Sequence, residues 1–550
     1  MITIVGDASV SEFSSIWLME KTKLIDNANI VLAGFMATGK TSVGRVVAQR
    51  LGRRFVDMDT LLVERLGAPI ADIFACHGED YFRRAERALC QELSRPSGAV
   101  IAAGGGAVIN QDNRLALARG GLLFCLTCSP QECLRRIGDP ASRPMLRGGD
   151  PARRVAQLMA ERRLAYDTIP RQIDTTSLSV EQVADHVIAL YQRDCCQRIL
   201  PVQHDTGLYD IVYGDGVLSR IGDVLYQRGM RGQIAVVTNT IVGPLYGAQV
   251  TDNLAQAGFK VVMTEIADGE QAKTLDTVAH LYDVLADAGL ERGDAVLALG
   301  GGVVGDVAGL LAATYLRGVP LVQAPTTVLS MVDSSVGGKV GVDHRHGKNL
   351  IGAFKQPVVV VADPATLLSL PAAERRSGLA EVVKHGIIGA PDILDHIENS
   401  SALDLTWLIP RAVQVKIDIV QQDPYERGRR AELNLGHTFG HALEVLSAYR
   451  LRHGEAVSIG MVAASRVAAR LGLCSSDLPA HVEDMLRAIG LPVRHQGYSA
   501  EVIWSAMSSD KKRKAGRLRF VLPVRVGQVV ITDQVPEQIV LEVMHELKEE

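Results

Sequence analysis

Asp294-Ala-Val-Leu-Ala-Leu-Gly-Gly-Gly-Val-Val-Gly-Asp306, continuing Val-Ala-Gly-Leu-Leu-Ala-Ala-Thr-Tyr-Leu-Arg-Gly318, decides the fold of the larger part of this chain. An apolar run of strand length, Ala295 to Leu299, breaks into Gly300, Gly301 and Gly302, and an Ala- and Leu-rich helical run follows. A strand–glycine–helix turn lets backbone amides approach a pyrophosphate at the positive end of a helix. Gly305 and Asp306 complete the turn. The spacing is not a strict G-x-G-x-x-G, so a tight turn at a sheet edge explains this segment alone equally well. The residues beyond it decide the matter. A second buried-strand pattern, Val319 to Ala324, ends at Pro325-Thr326-Thr327. Two Gly-rich stretches follow, Asp333 to Lys339 and Gly347 to Phe354, which read as loops. Arg317, Lys339 and Lys348 converge on these loops, and loops after strands are where open α/β sheets bind ligands.

The chain has 550 residues, too many for one core, with 47% hydrophobic and 22% charged residues. That is the composition of an ordinary globular protein. A net charge of −4 gives no reason to expect nucleic acid or a membrane surface as partner. Ala295 to Leu316 is long enough to span a bilayer, but it carries Asp306 and five glycines, which the strand–turn–helix reading explains. Met1 to Val10 lacks a basic start, and residues 1 to about 26 read as an extension without a signal peptide. Of eight cysteines, seven fall in the first 200 residues without regular spacing. Cys125 and Cys128 lie in an apolar strand-like run with no second pair, so buried thiols in a cytoplasmic protein are expected.

Asn29 to Ala33 is a short buried strand running into Gly34-Phe-Met-Ala-Thr-Gly39-Lys40-Thr41-Ser42, a complete Walker A loop that opens a helix. Its amides cradle phosphate, Lys40 reaches the β/γ-phosphates, and the Thr41 hydroxyl ligates Mg²⁺. Asp57 and Asp59 follow at a strand end. Arg83 sits on a helix, Gly104-Gly105-Gly106 ends a third strand, Arg143 lies in a lid-like loop at 138–151, and Arg162 is on a further helix.

Taken together, Gly34 to about Tyr191 resembles shikimate kinase. The resemblance implies ATP with Mg²⁺ held by Thr41 and Asp57, and a cofactor cradle of Gly34, Gly39, Lys40, Thr41, Ser42 and Arg143. It gives Asp59 the substrate hydroxyls and the proton of the attacking one. Arg83 and Arg162 grip the shikimate carboxylate, and Gly105 offers an amide. Planar guanidinium forks suit carboxylates. Leu164 stands where that family usually has proline, which puts the local turn in question.

The stretch from Asp294 to Gln356 closely resembles 3-dehydroquinate synthase, and the rest of the C-terminal part fits. Leu208 to Leu218 looks like the family's first strand and turn. Strands Ile234 to Thr238 and Val261 to Ile266 lead to Asp268-Gly-Glu270-Gln-Ala-Lys273. The resemblance makes Asp268, Glu270 and Lys273 contacts to NAD⁺, with Gly301, Gly302, Gly305, Asp306, Thr326, Thr327, Lys339 and Lys348. Beyond about Leu370 the pattern is helical. Glu381 and Lys384 share one helix face, as do His437 and His441, and His453 follows a loop. Glutamate plus two histidines suits a catalytic Zn²⁺ (or Co²⁺) with open positions. Spacing alone nominates His437 and His441 as the histidine pair. The resemblance names Glu381, His437 and His453 and turns His441 toward substrate phosphate.

It also implies catalytic roles for Lys339, Lys384, Lys416, Glu426, Arg430 and Asn434. Substrate contacts follow at Arg317, Asp333, Asn349 and, from the basic run 511–514, Lys512. The architecture expected is therefore α/β: a P-loop, NMP-kinase-like parallel-sheet domain at 25–193 and a linker at 194–203. An α/β NAD-binding domain follows at 204–370 and a mainly helical metal domain at 371–550. The expected activities are ATP-dependent phosphorylation of shikimate, and NAD- and metal-dependent conversion of 3-deoxy-arabino-heptulosonate 7-phosphate to 3-dehydroquinate plus phosphate. A homodimer through the synthase part is expected. The rival readings are a related sugar-phosphate cyclase, a polyol dehydrogenase, and a nucleotide-binding regulatory module in the N-terminal half.

Overall fold

The computed structural model describes residues 28–95, 97–138, 146, 150–169, 171–194, 198–400, 403–509 and 518–549. Arg143, Lys512 and the extension at 1 to 26 lie outside the described residues. The chain forms two compact units that divide between Gln197 and Arg198, apart from Gly214–Gly216, which cluster with the first.

The first unit is built on a parallel sheet of β1 (Asn29–Gly34), β2 (Phe55–Asp57), β3 (Val100–Ala102), β4 (Gly121–Thr127) and β5 (Arg171–Asp174), in the order β2-β3-β1-β4-β5. Every residue of β1 is buried. That is why its sequence is a continuous apolar run rather than an alternating one: helices cover both faces of a parallel sheet. The buried Asn29 at its start is satisfied, since its Oδ1 accepts from the amides of Ser97 and Ala99, each at 3.0 Å. The P-loop leaves the centre of this sheet and enters the helix Lys40–Leu51.

The second unit carries a seven-stranded sheet of β6 (Arg198–His204), β7 (Gly207–Tyr213), β8 (Gln233–Asn239), β9 (Lys260–Ile266), β10 (Ala295–Gly300), β11 (Leu321–Pro325) and β14 (Val359–Ala362). Its order is β6-β7-β14-β11-β10-β8-β9, and all pairs but β6–β7 are parallel. From β8 the chain steps outward to β9. From β10 it steps the other way, to β11 and β14. The crevice beyond the carboxyl ends of β8 and β10 is thus the switch point at which such sheets bind ligands. The stretch that decided the fold lies there, as strand β10 and the helix Gly302–Thr314, not as a membrane span. Among the described residues, no helix is long and apolar enough to cross a membrane.

From Ala372 onward the unit is helical around one large core, and a hairpin of β15 (Phe520–Arg525) and β16 (Gln528–Thr532) packs onto it before a last helix, Glu537–Glu546.

Two readings of the sequence are corrected. The linker assigned to 194–203 overlaps β6, which pairs antiparallel with β7 from Arg198↔Tyr213 to His204↔Gly207. Pro201 and the weak apolar period hid it. A sheet-edge strand tolerates proline and need bury little, and within β6 only Val202 is fully buried. Of the two Gly-rich stretches read as loops, Gly347–Phe354 is instead strand β13, paired in a second hairpin with β12 (Lys339–His344), whereas Asp333 to Lys339 gives only Lys339 to that hairpin. Its glycines serve close backbone approach, which is indistinguishable from loop chemistry in a single sequence.

Candidate active sites

In the first unit, the P-loop is folded around its own lysine. Lys40 Nζ donates to the carbonyl oxygens of Gly34 and Phe35, both at 2.8 Å. Burial lowers its pKa to about 8, against the pull of Asp59 and Asp57. The Thr41 hydroxyl donates to Asp57 at 2.7 Å, and Asp57 in turn accepts from the amides of Asp59 and Thr60. Phosphate cradle, hydroxyl and two carboxylates therefore meet at one point.

The turn Gly104–Gly106 is glycine because side chains press on it. A Cβ at Gly104 would lie 2.5 Å from Asp59 Oδ1, and one at Gly106 would lie 2.6 Å from an Arg83 nitrogen. The Gly105 carbonyl accepts from Tyr166 at 2.7 Å and from Arg162 at 3.2 Å. Asp59, Arg83 and Arg162 thus surround one glycine turn. Leu164 is 67% exposed on the unbroken helix Pro151–Tyr166, so the departure from the family pattern falls on its solvent face. A cavity of about 810 Å³ joins the P-loop, Asp57, Asp59 and Gly105 to a wall of Arg136 and Thr175–Ser179. Sequence reasoning gave no role to Glu86. It is buried, pairs with Arg83 at 2.8 Å, and burial raises its pKa against that pairing.

In the second unit the switch-point crevice carries the dinucleotide-type turn. Gly301 precedes the helix Gly302–Thr314, and a Cβ at Gly305 would lie 2.9 Å from Gln323 Oε1, so this helix beds closely on β11. Asp306 pairs with Lys273 at 2.7 Å, and burial pushes its pKa up to about 6 despite that lysine. Asn239 donates to Asp268 at 2.6 Å, which ties the ends of β8 and β9. The Thr326 amide donates to the Gly300 carbonyl at 3.0 Å, and Thr327 closes a turn with Ser330. Lys348 reaches the loop after β9, 3.2 Å from Glu270, whereas Lys339 pairs with Glu426.

The helical part supplies the second half of the site. Glu381 is fully buried in the helix Ala372–Gly389, and neither carboxylate oxygen has a hydrogen-bond donor in good geometry. Its Oε1 lies 3.4 Å from His453 Nε2 and 3.7 Å from His437 Nε2. Tetrahedral ligands about 2.1 Å from an ion sit roughly 3.4 Å apart, so these donors fit a zinc-type ion. His437 Nδ1 faces the Leu435 carbonyl at 3.1 Å, which leaves Nε2 for coordination. His441 is exposed, and its ring centre is 5.2 Å from that of His437. It forms with Glu444 and His453 a second cluster of possible ligands.

Beside Glu381 the charges alternate. Lys384 pairs with Glu381 and lies 3.7 Å from Asp333, and Lys416 pairs with Asp333. Lys384 stays cationic because these carboxylates outweigh its burial. Burial wins at Lys416 and lowers its pKa to about 8. Next to them Lys339 pairs with Glu426, Asn434 donates to Glu426 at 3.0 Å, and Arg430 donates to the Gly337 carbonyl at 3.0 Å. The structure does not tie Arg317 or Asn349 into this set. Arg317 is exposed on a left-handed backbone (φ 67) and pairs with no acid among the described residues, and Asn349 is exposed in β13 with φ 54. Sequence reasoning missed Glu444 and His385. Both are buried, and burial drops the His385 pKa to about 3. For Glu444 a signal existed: it is a lone acid in the apolar helix His437–Leu446, one turn beyond His441.

Residues 263–377 match the family model of the 3-dehydroquinate synthase N-terminal domain, and residues 378–513 match that of its C-terminal domain. The 3-dehydroquinate synthase of Synechococcus sp. is 45% identical over 358 residues, which is 63% of this chain and 97% of the relative. The chain belongs to the 3-dehydroquinate synthase family. That of Desulforamulus reducens is likewise 45% identical, over 62% of this chain and 99% of the relative. Residues 36–192 match the family model of shikimate kinase. The chain is thus a bifunctional enzyme of the shikimate pathway, with a kinase and a phosphate-eliminating cyclase in one polypeptide. Among solved structures, 2-epi-5-epi-valiolone synthase from Streptomyces hygroscopicus, with NAD⁺ and Zn²⁺ bound, is 28% identical with a TM-score of 0.58. The match covers 64% of this chain and 99% of that one. A 2-deoxy-scyllo-inosose synthase with carbaglucose-6-phosphate, NAD⁺ and Co²⁺ is 26% identical, with the same TM-score and coverage.

Proposed function

We propose that the two sites work through separate sets of residues, each complete within its own unit. In the kinase, Lys40 and the P-loop amides hold the transferring phosphoryl group of ATP, while Asp57 and Thr41 hold Mg²⁺. Asp59 takes the proton of the attacking shikimate hydroxyl. Arg83, held by Glu86, and Arg162, held against Gly105, grip the carboxylate. The wall of Arg136 and Thr175–Ser179 takes the nucleoside. Little covalent chemistry falls to the protein in such a transfer, so position and charge carry it.

In the synthase, the observation that carries the reading is the set of Glu381, His437 and His453 beside the Lys384–Asp333–Lys416 chain. Glu381, His437 and His453 would hold Zn²⁺, and the glycine turn with Asp268, Lys273 and Asp306 would hold NAD⁺. When bound, the metal polarises a substrate hydroxyl as a Lewis acid and the nicotinamide takes up and returns a hydride. Lys416, Arg430 and Asn434 position the carboxylate and phosphate of the heptulosonate, and Asp333 fixes Lys384 and Lys416 so that both ammonium groups face one substrate. A carboxylate-bearing substrate needs this density of cations. That separates the reading from the inosose and valiolone cyclases, whose fold it shares, as does the closer likeness to dehydroquinate synthases.

Buried unpaired thiols at Cys90, Cys125, Cys128 and Cys133 favour a reducing, cytoplasmic setting. A homodimer through the synthase part completes the proposal, and light scattering of the intact chain tests it.

The function is tested with the intact chain, given each substrate with and without a zinc-selective chelator in excess Mg²⁺. The chelator should stop dehydroquinate formation and spare shikimate phosphorylation. Lys40→Ala should do the reverse and slow phosphorylation about 10²–10³-fold, the usual cost of losing one preorganised charge donor. Net NADH accumulation would instead mark a dehydrogenase, and a fall in both rates with Lys40→Ala would show that the sites depend on each other.

A further inference from the structure

Glu444 is a buried carboxylate to which the synthase reading gives no task. It sits on the helix His437–Leu446, is 4% exposed, and has its Oε1 3.4 Å from His453 Nδ1. The other nitrogen of the same ring, Nε2, is 3.4 Å from Glu381. His453 is therefore gripped from both sides by acids on two different helices. Lys348 Nζ lies 3.6 Å from Glu444 and 3.2 Å from Glu270, in the loop after β9. It also stands over the Tyr449 ring, 4.2 Å from its centre.

We propose that Glu444 is a positioning residue for the metal centre: it accepts the Nδ1 proton of His453, fixes the ring's tautomer and orientation, and so presents Nε2 for coordination. The inference rests on the proposed ligand set of Glu381, His437 and His453. A metal-bound imidazole commonly donates its second N–H to a carboxylate, which orients the ring and makes it a better ligand. The competing use of Glu444 is as ligand to a second ion, with His441 and His453. Lys348 weighs against it, because its ammonium already supplies the positive charge that Glu444 faces and would repel another cation. The pairing of Lys348 with both acids balances the charge of Glu444 in its buried place. It also joins the metal's surroundings to the cofactor loop at Glu270.

The test uses metal-free full-length protein and Zn²⁺ alone, with affinity read by competition against a chromophoric chelator. Glu444→Leu should bind zinc about 10–100-fold more weakly, the usual cost of losing such a partner. Glu444→Gln, whose amide oxygen still accepts the Nδ1 proton, should recover most of that loss. In ¹⁵N-histidine-labelled, zinc-loaded protein the His453 Nδ1–H resonance should shift in Glu444→Gln, a readout that stands even where the leucine variant does not fold. Leucine binding within about threefold of wild type, equal losses in both variants, an unmoved resonance, or a second zinc per chain lost with Glu444 each overturn the proposal. His437→Ala and His453→Ala serve as controls: if these keep zinc, the ligand set itself is wrong, not only the role of Glu444.

Discussion

Glu381→Gln is expected to leave the synthase without zinc and to cut dehydroquinate formation by about 10³-fold or more, since the metal's Lewis acidity supplies several kcal/mol. Shikimate phosphorylation should continue at the wild-type rate. The substitution keeps shape and removes charge. Glu381 is fully buried, with Oε1 facing both histidines and Lys384 against the same carboxylate. Glutamine offers the ion a neutral oxygen and leaves Lys384 with only Asp333, 3.7 Å away and already paired to Lys416. Removing one partner of a buried ion pair costs about 3–5 kcal/mol. Here Asp333 offsets part of that, so a loss toward the lower end is expected, confined to the synthase unit. Zinc analysis, thermal unfolding and both rates on one preparation check it. Retained zinc at wild-type stoichiometry would sink the ligand assignment.

How much of this was legible follows from what each residue does in the fold. β1 and β10 read correctly because strands buried on both faces must be apolar throughout, and that pattern survives in one sequence. β6 did not, because an edge strand has few positions to bury and can hold Pro201. The hairpin β12–β13 was hidden by its glycines. At the sites, Lys40 and Thr41 were legible because a phosphate cradle imposes fixed spacing on contiguous residues, whereas Asp57 and Asp59, at the end of another strand, took their roles only from the family resemblance. Glu444 was marked only as a lone acid in an apolar helix, and its pairing was not legible, since its partner His453 comes from another helix and no spacing rule joins them. The same limit left the histidine pair open: His437 and His441 share a face by helical geometry, yet only the packing of Glu381 from a separate helix distinguishes them.

That distinction yields the last prediction. His437→Ala and His453→Ala should lose the metal, whereas His441→Ala should keep it and turn over about 10²–10⁴-fold more slowly, the range for loss of a positioned proton-transfer group. Glu381 reaches His437 and His453, while His441 is grouped with Glu444 and His453 on the other side of the ring. A fourth protein ligand would close the coordination sphere, which suits structural zinc; a catalytic ion needs a place for substrate. His441 is the exposed member of the three histidines, with its ring centre 6.3 Å from that of His453. It is therefore placed to meet a ligand entering from solvent, and the departing phosphate is the group on this substrate that needs a proton or a hydrogen bond as it leaves. Zinc content of the three purified variants, set beside their steady-state rates, decides between spacing and packing. A His441→Ala protein that is purified without zinc would return the metal to the pair that helical spacing alone nominates.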